Sequence, residues 1–110
     1  MTEQDYKIIN TLKQRIPEHL HHNIRKLLVF GSRARGDATE DSDLDILVLV
    51  ENGSEGMEEI LDDIAYAVMW DFDFHPIISL KVLSEDRFEK NARTNDFSFY
   101  RNIVREGLPV

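Results

Sequence analysis

Two carboxylates stand at alternate positions where a polar segment of the chain gives way to a continuous apolar run. Asp43 and Asp45 flank Leu44, and Ile46–Val50 follows without a polar residue. In a β-strand, residues i and i+2 point to the same face, about 6.6 Å apart along the chain. Because carboxylates held this close repel each other unless a cation lies between them, the pair predicts a divalent metal site at the start of a strand over Leu44–Val50.

A glycine-containing turn lies upstream of this pair. Residues 31–36 have the sequence Gly-Ser-Arg-Ala-Arg-Gly and follow Lys26–Phe30, which we predict to be the first strand. Gly31 permits a tight turn after that strand, and Ser32–Arg35 is long enough for a single helical turn. Free N–H groups at a helix start bind anions, and Ser32 adds a hydroxyl. The segment therefore predicts a phosphate-binding turn.

The two arginines of this turn have two interpretations. Arg33 and Arg35 can donate charge-assisted hydrogen bonds to a phosphate. Alternatively, one of them forms a surface ion pair with Asp37 or Asp41. The sequence leaves both interpretations open.

A third carboxylate would complete a phosphoryl-transfer site, as a second metal ligand or as the base for an attacking hydroxyl. We predict a third strand from Phe72 to Val82, in which alternation points Phe72 and Phe74 inward and exposes the acids between them. Asp73 is the preferred third ligand because it lies inside the predicted strand, and Asp71 is the alternative. The competing interpretation is that both acids are polar residues on the solvent face of a strand.

The remaining periodicities predict helices around a small sheet. Pro17 ends the first helix, Ser84 caps the helix that begins at Glu85, and the order of elements gives an α/β (α+β) fold with a small mixed β-sheet flanked by helices. We expect residues 1–110 to form a single domain. The predicted helices cover residues 2–15, 55–70 with the inner stripe Ile60, Ile64, Ala67 and Val68, a segment from residue 85, and 97–105.

Charge and composition limit the partners of the chain. The net charge is -8, and residues 36–80 contain no Lys or Arg, which disfavours nonspecific binding to nucleic-acid backbones. No cysteine is present, and no apolar run approaches the roughly 20 residues that cross a bilayer. We therefore expect a cytoplasmic protein without membrane contact.

Several side chains have simpler interpretations than a ligand site. The histidines at 19, 21 and 22 lack a nearby carboxylate at ligand spacing and are expected in a solvated turn. The expected core or interface aromatics are Trp70, Phe88, Phe97, Phe99 and Tyr100.

Three common motifs are excluded at the turn. Asp37 stands where the Walker A pattern requires lysine, and the dinucleotide pattern G-x-G-x-x-G is absent. Ser32 does not lie in a G-x-S-x-G hydrolase pattern.

The chain resembles a minimal nucleotidyltransferase of the DNA polymerase beta superfamily. The resemblance rests on Gly31-Ser32, ten intervening residues and then Asp43-Leu44-Asp45, with strand-forming residues on both sides. It implies the nucleotidyltransferase fold, Asp43 and Asp45 as ligands of two Mg²⁺ ions, and Gly31 and Ser32 as the triphosphate-binding turn. The family's third acid usually begins a strand as Asp followed by two apolar residues, and Asp73 departs from that pattern.

The resemblance also implies an activity. Many minimal members are antitoxins that transfer AMP from ATP to a tyrosine of a helical HEPN-type toxin, so we expect a protein partner and ATP as substrate. The alternative is a noncatalytic module that binds and neutralises or scaffolds a partner through its acidic face. A third hypothesis is transfer onto a small molecule or nucleic-acid end with a separately encoded subunit.

Overall fold

The computed structural model describes residues 1–54, 56–94 and 98–110. Within these residues the chain forms helices on both faces of a four-stranded sheet. The elements in chain order are α1 (Glu3–Arg15), a 3-10 helix (Glu18–Asn23), β1 (Ile24–Phe30), α2 (Ser32–Arg35), β2 (Leu44–Val50), α3 (Met57–Asp71), β3 (Ile78–Ser84), α4 (Glu85–Thr94), α5 (Ser98–Glu106) and β4 (Leu108–Pro109).

The first helix follows its sequence signals closely. The Thr2 hydroxyl accepts a hydrogen bond from the N–H of Asp5, and the Asp5 carboxylate accepts one from the N–H of Thr2, which makes a capping box. The helix ends at Arg15, and Pro17 follows as the N-cap of the 3-10 helix. The prediction for residues 2–15 is confirmed.

The sheet has the strand order β3-β2-β1-β4. β1 is antiparallel to β2 and to β4, whereas β2 and β3 are parallel. Because β2 lies between two strands and under helices on both faces, its residues from Ile46 to Val50 are all buried. Those on one face pack with α1 and α3, and those on the other face pack with α4 and α5. The first cluster includes Ile8, Leu12, Ile46, Val48 and Leu61, and the second includes Leu28, Leu47, Leu49, Phe88 and Ile103.

The buried stripe of α3 differs from the predicted one. Ile60 and Ala67 are exposed and Ile64 is half-buried, whereas Met57, Leu61, Ala65 and Val68 are buried. The C-terminal part of α3 is apolar on all sides, so the periodicity leaves the rotation of the helix ambiguous. Glu55, the predicted first residue, lies outside the described residues.

The predicted third strand begins too early. Residues 72–77 form a compact turn, and β3 starts only at Ile78. Asp73 and Phe74 both have a φ of 56°, and the N–H of Phe74 donates to the Met69 carbonyl across 2.8 Å. Pro76 has no N–H to donate to a neighbouring strand, so the chain leaves α3 through this turn before it becomes extended in β3.

The C-terminal predictions are mostly confirmed. The Ser84 hydroxyl accepts a hydrogen bond from the N–H of Arg87, and α4 begins at Glu85. The closing helix is described from Ser98, while Phe97 lies outside the described residues and nothing is described of the Phe99 side chain. In the described part of the chain, no helix is both long and apolar enough to traverse a bilayer.

Candidate active site

The glycine turn and the second carboxylate meet at the end of β1. Antiparallel register pairs Phe30 with Asp45, so the residue after Phe30 lies beside that carboxylate. Gly31 has a φ of 76°, and a Cβ at this position would collide with the Asp45 carboxylate. Glycine is therefore favoured here by its backbone conformation, and a side chain would also force the Asp45 carboxylate to move. The two sequence motifs form one site.

The carboxylate pair is electrostatically strained. Asp43 is exposed just before β2, and Asp45 is half-buried and alternates with buried Leu44 and Ile46. Burial raises the pKa of the Asp45 carboxyl, and the nearby charge of Asp43 raises it further, while the positive charges of Arg35 and Lys81 oppose both effects. Since a cation between the two groups would relieve this repulsion, the donor set fits a divalent metal ion.

Arg33 has a different role from either predicted one. Its side chain is 8% exposed, and its Nη1 donates to the buried Asp5 carboxylate across 3.0 Å. Nε and Nη2 donate to the Ser42 carbonyl across 3.0 and 2.8 Å. Both the phosphate contact and the surface ion pair are therefore wrong for Arg33 in this structure. Its guanidinium instead fixes the segment that leads into Asp43.

Arg35 lies on the exposed side of α2 and forms the predicted kind of ion pair. Its Nε lies 3.3 Å from an Asp37 oxygen, and its Nη1 lies 3.6 Å from a Glu106 oxygen. Because the Arg35 side chain is exposed to solvent, these contacts are weak, and the guanidinium can exchange them for a phosphate. The interaction with α5 was not foreseeable from the sequence, since 71 residues separate Arg35 from Glu106.

A small cleft of about 150 Å³ opens beside the turn. Phe30, Gly31 and Arg35 line one side of this cleft, and Asn102, Ile103 and Glu106 of α5 line the other. The cleft places α5 across from the turn at Gly31 that is predicted to bind phosphate. Sequence reasoning missed these α5 residues because no motif marks them.

The predicted third ligand does not join the carboxylate pair. Asp73 is exposed in the turn that follows α3, and Asp71 forms an ion pair with Arg15 of α1. Among the described residues, no group of three Asp, Glu, His or Cys side chains is arranged to hold a metal ion. The placement of Asp73 inside a strand is thus wrong, and the reason is the turn that ends at Pro76.

A serine occupies the strand position next to the carboxylates. Parallel register pairs Asp45 with Ser79 of β3 and Leu47 with Lys81. Paired residues of neighbouring strands point to the same face, so Ser79 and Lys81 lie on the Asp45 side of the sheet. Lys81 lowers the pKa of Asp45 and so acts as a nearby positive charge. The sequence alone did not reveal Ser79, because its position depends on the register.

A Ser79→Asp substitution tests this geometry. A third carboxylate beside Asp45 is expected to tighten Mn²⁺ binding by roughly tenfold, or ~1.4 kcal/mol, since affinity rises with the number of charged oxygen ligands. The same change should lower the thermal stability of the metal-free protein through repulsion. Isothermal titration calorimetry measures the affinity, with Ser79→Asn as a neutral control of similar size. Equal Mn²⁺ affinities for the two variants would contradict the assigned position.

Comparison with known proteins shows the family to which the chain belongs. The sequence profile of the nucleotidyltransferase domain matches residues 6–104. The chain belongs to the nucleotidyltransferase family. A relative of this nucleotidyltransferase from Methanocaldococcus jannaschii, whose name assigns it as a protein adenylyltransferase, is 33% identical over 101 residues, with 92% of this chain and 88% of the relative covered. A second relative from that organism, with the same kind of name, is 34% identical over 80 residues, with 70% of this chain and 81% of the relative covered.

Solved structures share the fold of this nucleotidyltransferase. One described as a minimal nucleotidyltransferase has a TM-score of 0.51 at 24% identity and covers 97% of this chain and 89% of that chain. A toxin–antitoxin structure with AMP-PNP has a TM-score of 0.54 at 20% identity and covers 96% of this chain and 70% of that chain. The predicted α+β fold with a mixed sheet, and the predicted family, are confirmed.

Proposed function

We propose that this nucleotidyltransferase transfers AMP from ATP to a hydroxyl group of a protein partner in a Mg²⁺-dependent reaction. The observation that carries the proposal is the contact between the Gly31 turn and the Asp45 carboxylate. This contact joins an anion-binding backbone to a cation-binding side chain, which is the combination that a metal–triphosphate complex requires. The names of the relatives as protein adenylyltransferases support a protein acceptor.

In the proposed reaction, the acceptor oxygen forms a bond to the α-phosphorus of ATP. The bond from that phosphorus to the oxygen bridging to the β-phosphate breaks, pyrophosphate leaves, and the hydroxyl proton passes to a carboxylate or water. Mg²⁺ held by Asp43 and Asp45 would neutralise phosphate oxygens and stabilise the charge on the transferring group. The resemblance implies two such ions.

The turn and the cleft hold the leaving group in this proposal. The N–H groups at the start of α2 and the Ser32 hydroxyl bind the phosphates that become pyrophosphate. Arg35 exchanges its exposed contacts with Asp37 and Glu106 for the same phosphates, since charge-assisted hydrogen bonds to phosphate are strong. Arg33 has a positioning role, because its hydrogen bonds to the Ser42 carbonyl fix the segment that carries Asp43.

We further propose that the partner is a HEPN-type toxin and that both proteins are cytoplasmic. Two observations support a protein partner. A toxin–antitoxin structure shares this fold, and the chain carries a net charge of -8 that disfavours nucleic acid as the acceptor.

A second candidate function is noncatalytic binding of the same partner. The observation in its favour is Ser79, a neutral residue where a third carboxylate would lie beside Asp45. A site with two carboxylates binds a metal–nucleotide complex but can lack the group that accepts the hydroxyl proton.

The position of an isotope label in ATP distinguishes adenylyl transfer from noncatalytic binding. The chain and its partner are incubated with Mg²⁺ and ATP that is labelled at either the α- or the γ-phosphate. Adenylyl transfer is expected to label the partner only from the α-position, and Asp43→Asn should abolish that labelling. Asp41→Asn is the matched control, because Asp41 is an exposed acid two residues away. Equal labelling by the Asp43→Asn variant would contradict the proposal, whereas absent labelling with intact partner binding would favour the noncatalytic module.

A further inference from the structure

Three aromatic rings form a cluster on the outer side of α3 and the turn after it. Trp70 and Phe74 pack edge to face with centroids 5.1 Å apart, and Tyr66 lies 6.3 Å from Trp70 and 5.8 Å from Phe74. Tyr66 is 55% exposed and Trp70 is 61% exposed. We call Tyr66, Trp70 and Phe74 the aromatic patch. Trp70 therefore belongs to the surface rather than to the core.

The geometry of the aromatic patch suits a binding surface. The three rings hold one another in place, so little conformational entropy would be lost when a partner covers them. Tryptophan and tyrosine dominate the residues that carry binding energy in protein interfaces. The core of the protein does not require this exposure, since α3 is already anchored by buried Leu61 and Val68.

Acidic residues continue the same surface toward the start of α3. Glu59, Asp62 and Asp63 precede Tyr66 at spacings of seven, four and three residues, and all three are exposed. Residues at these spacings share one side of a helix. A partner that covers this surface must therefore bring apolar groups to the rings and positive charge to the carboxylates.

The aromatic patch lies at the end of the sheet where the catalytic carboxylates stand. The N–H of Ile78 donates to the Met69 sulfur across 3.2 Å, which holds the end of α3 against the start of β3. The N–H of Leu44 donates to the Ile77 carbonyl across 2.8 Å, which joins the same segment to the start of β2 beside Asp43. The aromatic patch thus lies at the same end of the sheet as Asp43 and Asp45, although α3 packs on the face opposite to Asp45.

We propose that the aromatic patch and its three acids bind a protein partner that presents apolar side chains flanked by lysine or arginine. This inference rests on the proposed function, because the protein that binds the aromatic patch is the acceptor of the AMP group. Nucleic acid is disfavoured, because residues 36–80 contain no Lys or Arg. Binding of a second copy of the chain to this surface is disfavoured as well, because the exposed acids of the two copies would face and repel each other.

The protein contains an internal reporter of this interaction. Trp70 is the single tryptophan of the chain, so its fluorescence reports on the aromatic patch alone. The probe is an amphipathic helical peptide with leucine on one face and lysine at its flanks, and its control carries glutamate in place of lysine. Binding of the lysine peptide is expected to shift Trp70 emission to shorter wavelength and to reduce iodide quenching, whereas the glutamate peptide should change neither. No change with the lysine peptide would overturn the proposal.

Substitution locates the surface. Trp70→Ala leaves the net charge unchanged and is expected to weaken binding of the lysine peptide about tenfold or more in calorimetry. Val104→Ala is the control, since Val104 is an exposed apolar residue on α5. Equal weakening by both variants, or none by Trp70→Ala, would overturn the proposed surface.

Two variants distinguish the absence of docking at the aromatic patch from the absence of the proposed AMP transfer. The Trp70→Ala variant should raise the KM for the acceptor protein and leave the thermal stabilisation by Mg²⁺–ATP intact. The Asp43→Asn variant should bind the lysine peptide as the unmodified chain does and transfer no AMP. An unchanged KM in Trp70→Ala would contradict docking here while the transfer reaction stands.

Discussion

Replacement of Arg33 by alanine is expected to lower the free energy of unfolding by about 3–5 kcal/mol, because it leaves a buried carboxylate without its partner. Asp5 is 1% exposed and receives hydrogen bonds from Arg33 at 3.0 and 3.3 Å. The same substitution removes the hydrogen bonds that hold the Ser42 carbonyl. Both the start of α1 and the segment before Asp43 lose an anchor.

Urea denaturation followed by circular dichroism measures this effect. Arg35→Ala is the matched control, since Arg35 lies on the same short helix but is itself exposed, and it pairs with exposed Asp37 and half-buried Glu106. We expect that control to lose far less stability than Arg33→Ala, because solvent-exposed ion pairs contribute little. A loss for Arg33→Ala as small as that of Arg35→Ala would contradict the buried anchor.

Replacement of Asp45 by asparagine is expected to change activity and stability in opposite directions. Loss of this proposed metal ligand should reduce AMP transfer by at least about 10³-fold, or ~4 kcal/mol of activation free energy. The metal-free variant should nevertheless unfold at a higher temperature, because burial and the Asp43 charge disfavour the ionised form of Asp45 in the folded state. Strained charges at functional sites commonly lower stability in this way.

The effect of Asp45 on the stability of the fold depends on pH, and the direction of its pKa shift fixes the direction of that dependence. Because the folded-state pKa of Asp45 is raised, the native protein binds more protons than the unfolded chain between the ordinary and the raised pKa. This carboxyl therefore destabilises the fold as pH rises through that interval, and the deficit persists at neutral pH. The stability difference between Asp45→Asn and the unmodified chain should accordingly shrink as pH falls through the same interval.

Thermal unfolding in EDTA at several pH values measures this difference, and Asp41→Asn is the control. Added Mn²⁺ should stabilise the unmodified chain and leave Asp45→Asn unaffected. A lower unfolding temperature for Asp45→Asn in EDTA would contradict the assigned strain.

Local signals predicted the central part of the fold. The predicted bounds of β2 and of the helical turn Ser32–Arg35 are confirmed. The glycines that flank the turn and the continuous apolar run of the strand are local signals that set these bounds. The turn at residues 72–77 was missed because its aromatic–acidic alternation is also that of a strand. Tertiary packing favours the turn over a strand, since Phe74 packs on Trp70 instead of entering the core.

The site was predictable only where its residues are close in sequence. Gly31, Ser32 and the acids at 43 and 45 share one short segment, so a motif marks them as candidates, and the structure brings Gly31 against Asp45. The Asp5–Arg33 pair and the position of Ser79 depend on how α1 and β3 pack, and no local pattern encodes either. Arg33 was misinterpreted for that reason, since its buried partner lies 28 residues away.

The intact mass of the co-expressed partner protein tests the proposed transfer most directly. The partner is purified from cells that also produce either the unmodified chain or its Asp43→Asn variant. We expect a mass increase by whole AMP units with the unmodified chain and the unmodified partner mass with Asp43→Asn. An equal mass increase with Asp43→Asn, or an unmodified partner with both, would contradict adenylyl transfer by this site.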